Sequence, residues 1–246
     1  ISIIYNMNII ILGASGGIGS AILKEYSKDS KNSIFISSTK PDSLNQLRKK
    51  YKCSGKILDV RDNNSIESFF KDSVNNLESV DAVINCVGSI LLKPMHLAKE
   101  SEIIDTFYIN TIQSALTIKY SLPLMKKNGG SIILFSSAAA KIGLKNHDII
   151  SSAKGAIDSM VKSCAMTYAK YNIRINAIAP GLVESNLSKN IIKNKFSLDY
   201  SLGLHPLNRI GKPKNIVPAI KWLLDENSDW ITGKSIRIDG GLSNLK

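Results

Sequence analysis

Short, nearly continuous apolar runs alternate along this chain with longer stretches whose apolar residues recur every three or four positions. The first run, Asn8–Leu12, breaks at Gly13-Ala14-Ser15-Gly16-Gly17-Ile18-Gly19 and gives way to a helical pattern through Tyr26. Ile34–Ile36 predicts a second strand, and Asp42 to about Lys50 a polar helix with Pro41 at its entrance. Lys56–Leu58 reads as a third strand ending at Asp59, and Ser65–Leu77 carries Ile66, Phe69, Phe70, Val74 and Leu77 at helical spacing. Asp81–Asn85 predicts a fourth strand closed by Gly88. Glu100 to about Lys126 predicts one long helix, apolar on more than one face and stopped by Asn128-Gly129-Gly130.

The run Ile132–Phe135 predicts a buried strand that breaks at Ser136-Ser137. A small-residue helix is expected to open around Ser151, carry Lys154 on its first turn and run to about Tyr171. Ile173–Ile178 is a further strand, Pro180-Gly181 a breaker, Ser185–Pro206 an irregular segment, Pro213–Leu224 a helix and Ser235–Ile238 a last strand. This alternation predicts an α/β fold: one doubly wound, Rossmann-type domain, its parallel sheet of about seven strands covered by helices on both faces. No linker or internal repeat divides the chain, and residues 1–6, before Met7, read as an upstream extension.

Composition narrows the function classes. At 246 residues, 43% hydrophobic and 21% charged, the chain has the balance of an ordinary globular protein. No apolar run reaches bilayer-spanning length and the N-terminus lacks signal-peptide order, so no membrane role and a cytoplasmic location are expected. The net charge of +12 comes from lysines spread along the whole chain, which reads as a solvated surface rather than a nucleic-acid site. Cys53, Cys86 and Cys164 are isolated and read as buried reduced thiols. With His96, His147 and His205 equally scattered, no metal site is expected.

The candidate chemistry lies at strand ends. Gly13, Gly17 and Gly19, with Ser15 and Ile18 between them, stand in strand–loop–helix context, where glycines permit a tight turn and close approach of a pyrophosphate to a helix N-terminus. A carboxylate after the second strand would bond the ribose hydroxyls of NAD. This chain has Ser38, Thr39 and Lys40 there, which suits the 2′-phosphate of NADP better, with NAD as the other candidate. Lys40 has a solvated surface lysine as its ordinary alternative. Asp59, followed by Val60, could accept an adenine amino group or simply hold a turn. The Ser137 hydroxyl, Lys154 on the next helix and the carboxyl edge of the sheet define a candidate reaction centre.

These motifs resemble those of the short-chain dehydrogenase/reductases, from about Met7 to Leu242, with the nearest likeness to the 3-oxoacyl-carrier-protein reductases. The family's glycine motif matches Leu12 through Gly19, its Asp-Val pair Asp59-Val60, and its Asn-Asn-Ala-Gly the altered Asn85-Cys86-Val87-Gly88. Its helix asparagine matches Asn110, its catalytic serine Ser137, its lysine Lys154 and its Pro-Gly Pro180-Gly181. Val183 falls in the same stretch, and Ser185 replaces a usual threonine. The resemblance implies hydride exchange between a nicotinamide cofactor and a carbonyl or alcohol. It also implies a tyrosine four residues before the lysine and thirteen after the serine, and both counts land on Ile150.

An isoleucine can neither donate nor accept a proton. Three readings follow: an oxidoreductase whose proton comes from water relayed by Lys154, from Ser137 or from His147; altered dinucleotide-dependent chemistry; or a cofactor-binding or assembly subunit without turnover. His147 has an exposed loop histidine as its ordinary alternative. Retention of Asn110, Ser137 and Lys154 favours the first. By the resemblance, 185–206 is a substrate lid. Its apolar residues suit a hydrophobic or acyl substrate and its lysines an acidic one, with an amphipathic surface segment as the alternative. The breadth of the two long apolar helices predicts a homodimer or homotetramer.

Overall fold

A computed structural model describes residues 6–245, so residues 1–5 of the expected extension lie outside it. The elements in chain order are β1 (Asn8–Leu12), α1 (Gly17–Tyr26), β2 (Ser33–Ser38), α2 (Pro41–Tyr51), β3 (Ser54–Ile57), α3 (Asn63–Val74) and β4 (Ala82–Asn85). There follow α4 (Glu100–Phe107), a π turn (Tyr108–Ile112), α5 (Gln113–Met125), β5 (Gly130–Phe135), α6 (Asp148–Tyr168) and β6 (Ile173–Pro180). The chain closes with α7 (Lys189–Lys193), α8 (Lys195–Leu204), α9 (Val217–Leu224) and β7 (Ser235–Ile238).

The strands form one seven-stranded, all-parallel sheet in the order β3-β2-β1-β4-β5-β6-β7. Alternation along β1 shows why. Ile10 and Leu12 pack into a core with α3, α5 and α6, whereas Ile9 and Ile11 pack on the opposite face with α1, α2 and α9. Ile9, Ile10 and Ile11 are fully buried, each contributing about 1.5–3 kcal/mol of transfer free energy. Strand order reverses direction between β1 and β4, and a crevice at the carboxyl ends is the geometric result.

Five expectations are corrected. The long helix is interrupted at Tyr108–Ile112 by a π turn, which leaves the 3.6-residue apolar pattern intact on either side and so has no signature in it. The 185–206 segment is not irregular: Asn194 accepts from the Ser197 amide and so starts α8 directly after α7. The helix expected at Pro213 begins with a 3₁₀ turn, and α9 proper starts at Val217. α6 opens at Asp148, which moves Lys154 from the first turn to the second. The three cysteines are free, and each is partly exposed rather than buried.

Candidate active site

The glycine loop sits at the strand-order reversal and is packed to its limit. Gly13 has φ +74°, and a Cβ there would stand 3.3 Å from the Cys86 carbonyl carbon and the Val87 amide after β4. A Cβ on Gly19 would lie 2.4 Å from the Gly13 carbonyl oxygen, so α1 could not approach the loop with any larger residue. The Gly13 amide donates to Ser37 Oγ at 2.9 Å, tying the loop to β2. At the end of β2, buried Ser38 brings its Oγ within 3.1 Å of Ser15 Oγ, while Thr39 and Lys40 are exposed. Asp59 is exposed and its Oδ1 accepts from the Arg61 amide at 2.9 Å, the turn-holding arrangement. Val60 is buried and its carbonyl accepts from Gln113 Nε2.

Three elements converge where β4 and β5 end. Asn85 is buried and spends its side chain locally, accepting from the Val87 amide and donating to Thr117 Oγ1, both at 2.9 Å. It shapes the turn that carries Gly88. Asn110 lies in the π turn, donates to Ser89 Oγ at 3.0 Å and to the Thr106 carbonyl at 2.9 Å, and accepts from the Ser89 amide at 3.2 Å. Lys154 is buried at 8% exposure, and its Nζ donates to the Phe135 carbonyl at 2.7 Å. An ammonium has three donors, and that carbonyl is the one acceptor recorded for it among the described residues. Burial pushes Lys154 down to about 8, with nearby Asp158 opposing the fall. A Cβ on Gly88 would come within 3.1 Å of Asn110 Oδ1 and 3.5 Å of Lys154 Nζ, so both groups meet over a glycine.

Two cavities share this floor. The inner one, about 160 Å³, is lined by Ile18, Gly88, Ser137, Ile150, Lys154 and Val183 among others. The outer one, about 380 Å³, is mostly apolar, with Ile90, Leu92, Ile191, Phe196 and Leu242 in its walls, and Ser137, His147 and Tyr200 supplying polar groups. Ser137, Ile150, Pro180 and Gly181 belong to both. Ser137 Oγ accepts from the Ala139 amide at 3.2 Å, which orients it at the mouth of β5. Ile150 is 5% exposed and fills the position between the cavities with a branched hydrocarbon.

Some members of the site were not legible in the sequence. Ser89 anchors Asn110, Ser136 Oγ holds the Lys154 carbonyl at 3.1 Å, and Ser188 Oγ closes on the Val183 carbonyl at 2.6 Å. Ser185, which the family pattern had picked out, reaches over the glycine loop, its Cβ 3.1 Å from where a Gly17 side chain would begin. His205 is buried: its Nδ1 lies 2.6 Å from the Ser201 carbonyl and its Nε2 accepts from the Leu182 amide at 3.2 Å. Those two partners fix a neutral ring protonated on Nδ1. Besides Ser185, the paired serines at 136 and 137 were the one available signal; the others are brought together only by the fold. The Ser38–Lys40 and Asp59 ends lie along the sheet edge, outside both cavities. Among the described residues no cluster of His, Cys, Asp or Glu could hold a metal ion, and no helix is long and apolar enough to cross a membrane.

Glycine loop, crevice and buried lysine together define a dinucleotide-binding α/β oxidoreductase fold. The chain belongs to the short-chain dehydrogenase/reductase family: a family model described as Enoyl-(Acyl carrier protein) reductase matches residues 13–243. A chloroplastic tropinone reductase homolog of Arabidopsis thaliana is 29% identical over 244 residues, covering 96% of this chain and 76% of that one. Glucose 1-dehydrogenase 2 of Bacillus subtilis is 28% identical over 247 residues, covering 95% and 93%. The solved structure of ElxO with NADP bound superposes with a TM-score of 0.88 at 27% identity, covering 97% of this chain and 99% of that one.

Proposed function

We propose that this protein is an NADP(H)-dependent oxidoreductase that interconverts a carbonyl and an alcohol on a largely apolar small molecule. The observation that carries the reading is the buried Lys154 ammonium, which converges with Asn110 over Gly88 and has donors to spare in the wall of the inner cavity. The residues fit a dinucleotide. Gly13, Ser15, Gly17, Ile18 and Gly19 would hold the pyrophosphate, and Ser38, Thr39 and Lys40 the ribose end. Asp59 and Val60 would flank the adenine, and Asn85, Gly88, Lys154, Pro180, Gly181 and Val183 would frame the nicotinamide half. With no carboxylate at the end of β2, a 2′-phosphate is favoured over free ribose hydroxyls, and the NADP bound to ElxO supports the same preference.

The reduced cofactor, when bound, supplies hydride to a carbonyl carbon. Ser137 Oγ, at the boundary of both cavities, donates a hydrogen bond to the carbonyl oxygen. Lys154 supplies positive charge to the inner cavity, and its remaining donors would hold the ribose of a bound dinucleotide. Asn110 holds the Ser89 stretch, and with it the wall at Gly88, in position. The 185–206 segment acts as a lid, its Ile191 and Phe196 lining the outer cavity and excluding water. Self-association as a homodimer or homotetramer fits the exposed Ile104, Ile112 and Met166 on α4, the π turn and α6.

Ile150 favours a second reading, a subunit that binds cofactor without turnover, because that side chain supplies no acid at the junction. A titration of NADPH against NADH followed by a carbonyl panel separates the two: binding with turnover supports the enzyme, and binding alone the inert subunit. Ile150→Tyr is the companion test. An added phenol beside Ser137 and Lys154 puts a general acid at the position the family uses, and reduction is expected to rise or hold with NADPH binding unchanged. Loss of reduction in this variant, with NADPH binding unchanged, would count against an otherwise intact centre.

A further inference from the structure

Reduction of a carbonyl consumes one hydride and one proton, and Ile150 leaves the second without the expected donor. Five polar groups other than Ser137 stand near enough to be considered. Lys145 lines the outer cavity but is exposed, and its carbonyl is what orients His147. His205 is committed at both ring nitrogens, to Ser201 and Leu182, and has no proton to give without breaking one of those bonds. Lys154 faces the inner cavity only, with Nζ on the Phe135 carbonyl. Tyr200 lines the outer cavity from α8 but is 50% exposed. His147 remains.

His147 caps α6 and stands three residues before Ile150. Both residues line the outer cavity together with Ser137. The ring is oriented by its Nδ1, which lies 2.8 Å from the Lys145 carbonyl, so Nδ1 carries a hydrogen and Nε2 is the nitrogen left for substrate. We infer that His147, as imidazolium, is the proton donor of the reaction proposed above, acting through Nε2 from one helical turn before the vacant acid position. The balance is simple. The carbonyl carbon gains hydride from the reduced dinucleotide, the C=O π pair moves onto oxygen, and the Nε2–H bond breaks as the O–H bond forms. The ring is left neutral with Nδ1–H retained. Alcohol oxidation runs the same steps backwards, with Nε2 as base.

The charged and titratable groups around the ring are Lys145 and Asp148 on its own stretch, Lys93 beside Asn146, Tyr200 and His205 across the cavity, and Lys154 beyond Ile150. Two of these are internally compensated: Lys93 Nζ pairs with Glu102 at 2.7 Å and Asp148 accepts from the Met95 amide at 2.8 Å.

The inference rests on the oxidoreductase reading, and the test separates the two. With NADPH and 1-phenyl-1,2-propanedione as probe, His147→Ala and His147→Gln are expected to lower the reduction rate about 10²-fold or more. NADPH affinity and melting temperature should stay unchanged. His96→Ala, at an exposed histidine that lines neither cavity, is expected to stay within about twofold of wild type. A readout independent of turnover uses the cofactor-free protein. Diethyl pyrocarbonate followed by peptide mass mapping should modify His147 and spare His205, and the cavity-filling diketone should protect His147. Wild-type rates in both His147 variants, an equal loss in His96→Ala, or an unreactive His147 would each overturn the inference while leaving the oxidoreductase reading standing. NADPH binding by the wild type with no turnover of any carbonyl would overturn both.

Discussion

Replacing Lys154 by methionine tests the electrostatics of the site without any substrate. The side chain is 8% exposed, and burial lowers its titration from the ordinary 10.5 to about 8. Below pH 8 both folded and unfolded chains carry the proton, so stability does not change with pH on this account. Between about 8 and 10.5 the folded chain has released it while the unfolded chain still holds it. Stability must therefore rise with pH across that window, by about 1.36 kcal/mol per pH unit, and level off above it. The full rise is about 3 kcal/mol, which is also the destabilisation that the buried charge imposes at neutral pH. The opposing local term is the Phe135 carbonyl, which loses its partner in the variant at a cost of about 1–3 kcal/mol that does not vary with pH. Urea unfolding of wild type and Lys154→Met at several pH values from 7 to 11 isolates the lysine. The stability of wild type minus variant should climb by about 3 kcal/mol and then flatten. A difference that stays level from pH 7 to 11 would refute the claim that Lys154 is held in a desolvated position.

Two other substitutions probe the cofactor cradle. Gly19→Ala places a carbon 2.4 Å from the Gly13 carbonyl oxygen, so α1 must move; thermal unfolding should report a loss of about 1–3 kcal/mol and fluorescence titration a weaker NADPH complex. Lys40→Glu reverses the charge at the end of β2, and competition titrations should show NADPH affinity falling at least about tenfold while NADH affinity stays level or improves. Equal effects on both dinucleotides would remove Lys40 from any 2′-phosphate contact.

The strands and the glycine loop could be read from the chain because both rest on local rules. Strands such as Asn8–Leu12 and Ala82–Asn85 are buried on both faces and so are apolar apart from the asparagine at one end of each. Gly13 and Gly19 answer to backbone geometry that no other residue fits. Ile150 could likewise be located by counting from Ser137 and Lys154. The π turn could not, because one extra residue in a helix that is apolar all round leaves no break in its pattern. The two helices of 185–206 were missed because their faces are weakly segregated, with Phe196 and Tyr200 exposed beside lysines. His205 was read as one more scattered histidine; its burial depends on Ser201 and Leu182 arriving from different elements. The place of His147 in the cavity wall depends on the path of 138–147, which sequence spacing does not describe.

The π turn at Tyr108–Ile112 has a consequence for how this helix tolerates change. It holds one residue more than an α-helix would use over the same span. Excising a single residue there would let the hydrogen bonding close without a break, but everything upstream would swing about 100° around the axis. Asp105 would leave Arg61, and Thr106 would leave Asn110. The surplus residue thus works as an indexing step between two cylinders, one clocked to the reaction centre and the other to the neighbouring loops. An insertion or deletion elsewhere in α4 would have to be absorbed at this step, or the asparagine would lose its bearing.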